Sequence, residues 1–411
     1  MESVATFGEV PDLSDACLVD YLQMAPTADV LEILRDEDPE RAFGAKAQAA
    51  LLRCLRHPVA IAHPPGRPYR ERLLKLAVTA AERDGLELDD GVAEAHAEAL
   101  CEPRTGDQWC HKTFVLDVAP REETTERKQR PVRITVRTHP NLFEGGTGCH
   151  EWAAGFALAE LVASHAERFA NKRVVEIGPG VGVAAIALAK ITRPRGASAL
   201  TLLDRDNETL ANLAANLELN GIPSRILKHD DDDDDDDERE AGDEDDPNDE
   251  DDFAIPKPRV SLSRLDWHDF DPARLASLRA DVVVAADVLY DPTDVPALLD
   301  VAAALLGPRE EAAAILPSRL DTHTKLFARD EKKKKTRAEK NEPLALFVSA
   351  VRQPATLALF EEVAAERGFD PVDVTEAFAA TKKKGVGFRR LAKEQLAEVK
   401  VHALRPPKAP R

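Results

Sequence analysis

Apolar residues three and four apart run through LVDYLQ, VLEILRD, AKAQAALLRCLR, YRERLLKLAVTAAERDG and VAEAHAEALC, so Asp12 to about Cys101 reads as a set of amphipathic helices. The proline-rich stretch HPVAIAHPPGRPY, His57 to Tyr69, breaks the pattern and is expected to be an ordered connector, with His57 and His63 as loop or packing residues. Between Lys112 and Pro140 the period changes to two. TFVLDV and VRITVR alternate like paired strands around the charged loop PREETTERKQRP. GGTGCHEWAAGFALAELVASH then turns through glycines into a helix expected to carry Trp152, Phe156, Leu158 and Leu161 towards a core.

From Val174 onward, strand and helix patterns alternate. VVEIGPGVGVAAIALAK is a β-branched run, a glycine turn and an almost wholly apolar helix. ALTLLD ends at Asp204, and NETLANLAANLELNG is a helix with Asn207 as its cap, Gly221 as its stop, and Leu210, Leu213, Ala214 and Leu217 as its buried stripe. VSLSRLDW is a third strand and ADVVVAADVLYD a fourth, apolar on both faces as a central parallel strand should be. VPALLDVAAALL is a helix, LALFVSAV strand five and TLALFEEVAAERGF another helix, while KGVGFRRLA and AEVKVHALR read as an antiparallel pair. The expected fold is α/β, a doubly wound, Rossmann-like sheet with late antiparallel strands and a helical N-terminal domain. Expected boundaries are a helical domain over 1–110, a hairpin and connector over 111–150, and the α/β domain over 151–411.

Composition changes the picture at one point. The net charge of −20 resembles a property of the whole chain, yet Asp230 to Asp252 holds eighteen acids and one arginine, which is −17 and leaves about −3 for the rest. This stretch cannot bury enough apolar surface to offset the entropy of ordering and is expected to be a solvated insertion; Leu320 to Pro343, with Lys332 to Lys335, is a second, basic one. No apolar run approaches the ~20 residues of a membrane span, and the acidic start MESVATFGEV lacks a signal peptide's basic region, so a cytoplasmic location is expected. Cys17, Cys54, Cys101, Cys110 and Cys149 show no CxxC or zinc-like spacing; they read as reduced thiols, and no metal site is expected.

The chemistry collects where parallel strands end. Gly178, Pro179, Gly180 and Gly182 follow Glu176, and such a turn lets a backbone pass close to a ligand. A dinucleotide is one candidate, but Val183 stands where its fingerprint has a third glycine; the spacing Glu-x-Gly-x-Gly-x-Gly is the usual first motif of S-adenosylmethionine (SAM) sites. Asp204 suits a bond to ribose hydroxyls, Trp152 and Trp267 suit an adenine or a sulfonium, and Ala286 leaves room for a cofactor. DVLY, Asp287 to Tyr290, puts an acid and a phenol at the mouth where a nucleophile would approach. If that nucleophile is a lysine, Asp287 is better placed to bind and orient the amine than to act as a strong base.

Trp152 after Thr147-Gly148, EIGPGVG, LLD, LDW and AADVLY, in this order, resemble the seven-strand protein lysine methyltransferases that end strand four in D-x-x-Y. HPVAIAHPP followed by YRERLLKL, and GTG before Trp152, are similar to the branch of that family acting on translation elongation factor 2. The resemblance implies a seven-stranded fold and SAM-dependent methylation of a protein lysine, with elongation factor 2 as partner and no direct nucleic-acid or membrane partner. It further implies that Trp152, Gly178 to Gly180, Asp204, Trp267 and Ala286 contact SAM, and that Asp287 and Tyr290 border the lysine channel. Ala153 departs from the acid usual after the tryptophan, and neither charged insertion belongs to the pattern. A methyltransferase for another protein or a small molecule, and a non-catalytic acidic binding protein, stay open as alternatives.

Overall fold

A computed structural model describes residues 12–38, 40, 42–104, 109–118, 131–139, 146–191, 197–227, 259–307 and 343–406. The acidic insertion, all of the basic insertion except Pro343, and the loop 119–130 lie outside the described residues. In chain order the strands are β1 (Cys110–Asp117), β2 (Val132–Thr138), β3 (Arg173–Ile177), β4 (Ala199–Asp204), β5 (Ser224–Ile226), β6 (Arg259–Arg264), β7 (Val282–Ala286), β8 (Leu344–Ala350), β9 (Asp370–Asp373), β10 (Gly387–Phe388) and β11 (Val399–Arg405). The main sheet runs β5-β6-β4-β3-β7-β8-β11-β9. Its first six members are parallel, and β11 is antiparallel to both neighbours. Six of its strands answer runs read from the sequence; the three-residue β5 and the four-residue β9 are additional, too short to register in the hydrophobic pattern.

Alternation along β3 and β7 explains why the sheet is buried on both sides. Val174, Val282 and Val284 face one core with the helices Ala153–Ser164, Val183–Ile191 and Asn207–Leu219. Val175, Ile177, Val283 and Ala285 face the other, with Val295–Leu306 and Pro354–Glu366. The six N-terminal helices between Ala16 and Cys101 enclose a third core. Strand β1 mediates between layers: Val115 packs into the helical core, whereas Phe114 and Leu116 on its opposite face join the sheet core.

Three expectations fail against the structure. The C-terminal segments do not pair with each other: β10 adds to β1, and β11 inserts between β8 and β9. Local sequence cannot reveal this, because both segments find partners far away in the chain. The cap of Asn207–Leu219 is Asp206, whose Oδ2 accepts from the Thr209 amide at 2.7 Å, not Asn207. Trp152 stands at the N-cap position of its helix, half-buried, while Phe156, Leu158 and Leu161 enter the core. The connector 57–69 does hold order: His57 caps a short helix, Pro58–Ala62, by accepting from the Val59 amide.

The outer edge of β2 is closed by side chains. Asn220 exchanges bonds with the Thr135 backbone, Asn216 with both backbone groups of Arg137, and Asn212 accepts from Arg137 Nε while donating to its carbonyl. A four-residue repeat of amides along one helix face thus replaces a missing strand and blocks edge pairing.

Candidate active site

The tips of β3, β4, β6 and β7 open on one cavity of about 490 Å³, within the ordinary range for a small-molecule site. Ten of the residues singled out from sequence border it, namely Trp152, Glu176, Gly178, Pro179, Gly180, Asp204, Trp267, Ala286, Asp287 and Tyr290, whereas Gly182 of the same turn is not among the lining residues. The glycine turn needs its glycines. Gly182 has φ +88°, and a Cβ there would stand 2.4 Å from Leu213 Cδ1. At Gly178, φ +65°, a Cβ would meet Val288 Cγ1 at 2.8 Å.

Two acids sit at the strand tips, and burial raises both carboxyls. Glu176 is fully buried, and burial together with the Asp204 charge pushes its carboxyl up to about 8; its Oε2 has no hydrogen-bond partner among the described residues. Burial also raises the Asp204 carboxyl, opposed by backbone donors: the Gly180 amide reaches Oδ2 at 3.3 Å and the Arg205 amide Oδ1 at 2.8 Å. Around the rim, Arg205 pairs with Asp266 at 3.0 Å, and His268 Nε2 lies 2.8 Å from Asp294 Oδ1.

The DVLY segment is bent sharply. Asp287 has φ +56°, a conformation costly for a non-glycine residue, and is held there by its own side chain. Its Oδ1 accepts from the Ala350 amide at 2.9 Å and its Oδ2 from the Ala154 amide at 3.1 Å, tying the β7 tip to β8 and to the helix that follows Trp152. Arg352 Nη2 approaches the same Oδ2 at 3.3 Å, and the guanidinium lies 4.9 Å above the Trp152 ring, whose Nε1 donates to the Thr147 carbonyl. Tyr290 is 51% exposed, and burial with the Asp294 and Asp204 charges raises its phenol, so it is neutral near pH 7. Sequence reasoning missed Arg352, Asp294 and His268; the signal for Arg352 was its position just beyond the end of a strand parallel to β7.

No helix among the described residues is long and apolar enough to cross a membrane, and no group of three or more His, Cys, Asp or Glu among them is arranged to hold a metal. A family model described as a methyltransferase domain matches residues 150–374, more than half of the chain. The human "Protein-lysine N-methyltransferase EEF2KMT" is 28% identical over 264 residues, which cover 64% of this chain and 68% of that protein. Its Bos taurus counterpart is 29% identical over 265 residues, 64% and 69% of the two chains. "Protein-lysine N-methyltransferase EFM3" of Chaetomium thermophilum is 27% identical over 217 residues, 49% of this chain and 59% of that one.

Proposed function

The chain belongs to the methyltransferase-domain family, and from that premise we propose that it is a SAM-dependent protein-lysine N-methyltransferase whose substrate is translation elongation factor 2. The relatives named for that activity support the reading. The observation that carries it is the D-x-x-Y pair at the cavity mouth, a buried carboxylate beside an exposed neutral phenol.

The residues fit the cofactor. The buried, unpartnered Glu176 Oε2 suits an ammonium, Asp204 with its oxygens set by two amides suits a ribose diol, and Trp152 and Trp267 offer apolar faces. When bound, SAM supplies an electrophilic methyl group on sulfur. The protein's task is then to hold a neutral amine in line with it. Deprotonating a lysine near neutral pH costs about 4 kcal/mol, three pH units below its ordinary value. Asp287 would raise that cost if it acted alone, since a carboxylate favours the ammonium. Its role is therefore to attract and orient the incoming side chain, with Tyr290 as hydrogen-bond partner, and proximity provides the rate.

In this reading the helical layer over 1–110 serves docking or stability, the unit over 151–411 performs the transfer, and the location is cytoplasmic. The test is transfer from tritiated SAM into purified elongation factor 2, followed by peptide mapping. Label on one lysine is the expected result; label absent from elongation factor 2 but present on another protein of a ribosome-containing fraction removes the substrate assignment, and no label anywhere removes the activity.

A further inference from the structure

Asp287 and Trp152 together form what an alkylammonium seeks, a buried carboxylate beside an aromatic face. In the structure a cation already occupies that position. Arg352 lies two residues beyond the end of β8, its guanidinium 4.9 Å over the Trp152 ring and Nη2 3.3 Å from Asp287 Oδ2. We propose that Arg352 is a displaceable internal stand-in for the target lysine, so that methyl transfer requires the substrate cation to evict it. The inference rests on the lysine-methyltransferase reading and adds to it a residue that controls access and selects for a cationic side chain.

Three observations make the arginine displaceable. Asp287 does not depend on it, because the Ala154 and Ala350 amides already serve its two oxygens. The 3.3 Å separation exceeds the usual 2.7–2.9 Å of a charge-assisted bond. The Arg352 side chain is 45% exposed whereas that of Asp287 is 4% exposed, so the arginine can swing into water while the buried carboxylate keeps its two amide donors until the substrate cation replaces the lost charge. A half-exposed arginine on a carboxylate already served by two amides, with one cation–π contact, is held as a plug by a factor of about ten. Two cations do not share one carboxylate and one ring face, so the amine and Arg352 compete.

Arg352→Gln removes the charge while keeping comparable length, and Arg352→Lys keeps the charge without the planar fork. Binding of n-butylammonium is measured by NMR titration in the presence of S-adenosylhomocysteine, alongside methyl transfer to elongation factor 2. Arg352→Gln is expected to bind the amine about three- to tenfold more tightly than wild type, with a matching fall in KM for the protein substrate, no matching fall in kcat, and Arg352→Lys between the two. Unchanged amine affinity and KM overturn the proposal. So does weakened S-adenosylhomocysteine binding, which would make Arg352 a cofactor ligand, or a loss of kcat at constant KM, which would make it a positioning residue for Asp287. If wild type labels no protein while Arg352→Gln still gains amine affinity, the lysine reading fails and the competition stands.

Discussion

Glu176→Gln separates the chemistry of the cavity from its shape. With its carboxyl near 8, Glu176 is about nine-tenths protonated at pH 7 in the free protein. If Glu176 receives the ammonium of the cofactor's methionine moiety, binding ionises it, at about 1.4 kcal/mol for each pH unit below 8. Affinity for S-adenosylhomocysteine is then expected to rise about tenfold from pH 6 to 7, a range in which an α-amino group of pKa about 8 stays charged. Calorimetry in buffers of different ionisation enthalpy should register nearly one proton released per ligand at pH 7. An amide cannot ionise, so the variant is expected to bind more weakly and with a flat pH dependence. Stability moves the other way. A carboxyl raised from 4.5 to about 8 on folding contributes stability that is fully present below about 4.5 and lost as pH rises through 8. Relative to wild type, Glu176→Gln should therefore gain about 2 kcal/mol in urea unfolding between pH 6 and pH 8. A wild-type affinity changing less than twofold between pH 6 and 7 would refute the assignment of Glu176 to the ammonium, and an equal slope in the variant would refute it independently.

Asn216→Ala removes the partner of the Arg137 amide and a donor to the Val181 carbonyl, while the Arg137 carbonyl keeps Asn212, and should lower the unfolding free energy by about 2–3 kcal/mol in urea melts. Gly182→Ala puts a methyl against the buried Leu213 at a left-handed backbone position; a loss of about 2 kcal/mol or more is expected, with weakened S-adenosylhomocysteine binding in the same preparation. Tyr290→Phe leaves a half-exposed ring in place, so thermal melting and cofactor affinity should stay at wild-type values while kcat drops about tenfold, the worth of one hydrogen bond to an amine that gains positive charge as the methyl arrives. Wild-type kcat in that variant would remove the phenol from the reaction.

How much of this was legible in the chain follows from how local each feature is. The glycine turn, Asp204 and DVLY were readable because each is a short run at the end of a strand, and parallel strands bring their carboxyl ends to one edge whatever the loops between them contain. Arg352, the asparagine ladder and the pairing of β10 with β1 were not, because their partners lie far away in sequence: 65 residues separate Arg352 from Asp287, and 85 separate Asn220 from Thr135. The same distance hid how the N-terminal helices are attached. Asp20 pairs with Arg390, and Gln23 donates to the Arg389 carbonyl, while Arg389 itself grips Asp117 at the end of β1.

That last cluster bears on how the domains work together. The segment Gly387–Arg390 supplies a strand to β1 and ion pairs to the helical layer and the hairpin, and Phe388 packs edge-on against Phe114 and Phe156, the latter on the helix that begins beside Trp152. That helix also donates its Ala154 amide to Asp287. A continuous run of packed and hydrogen-bonded groups therefore links the N-terminal layer to the acid at the cavity mouth. A substrate docked on the helices would bear on the same packed elements that hold Asp287. Under the proposed function, specificity on this scaffold accordingly need not reside at the cavity mouth, where the D-x-x-Y pair would recognise little more than an amine.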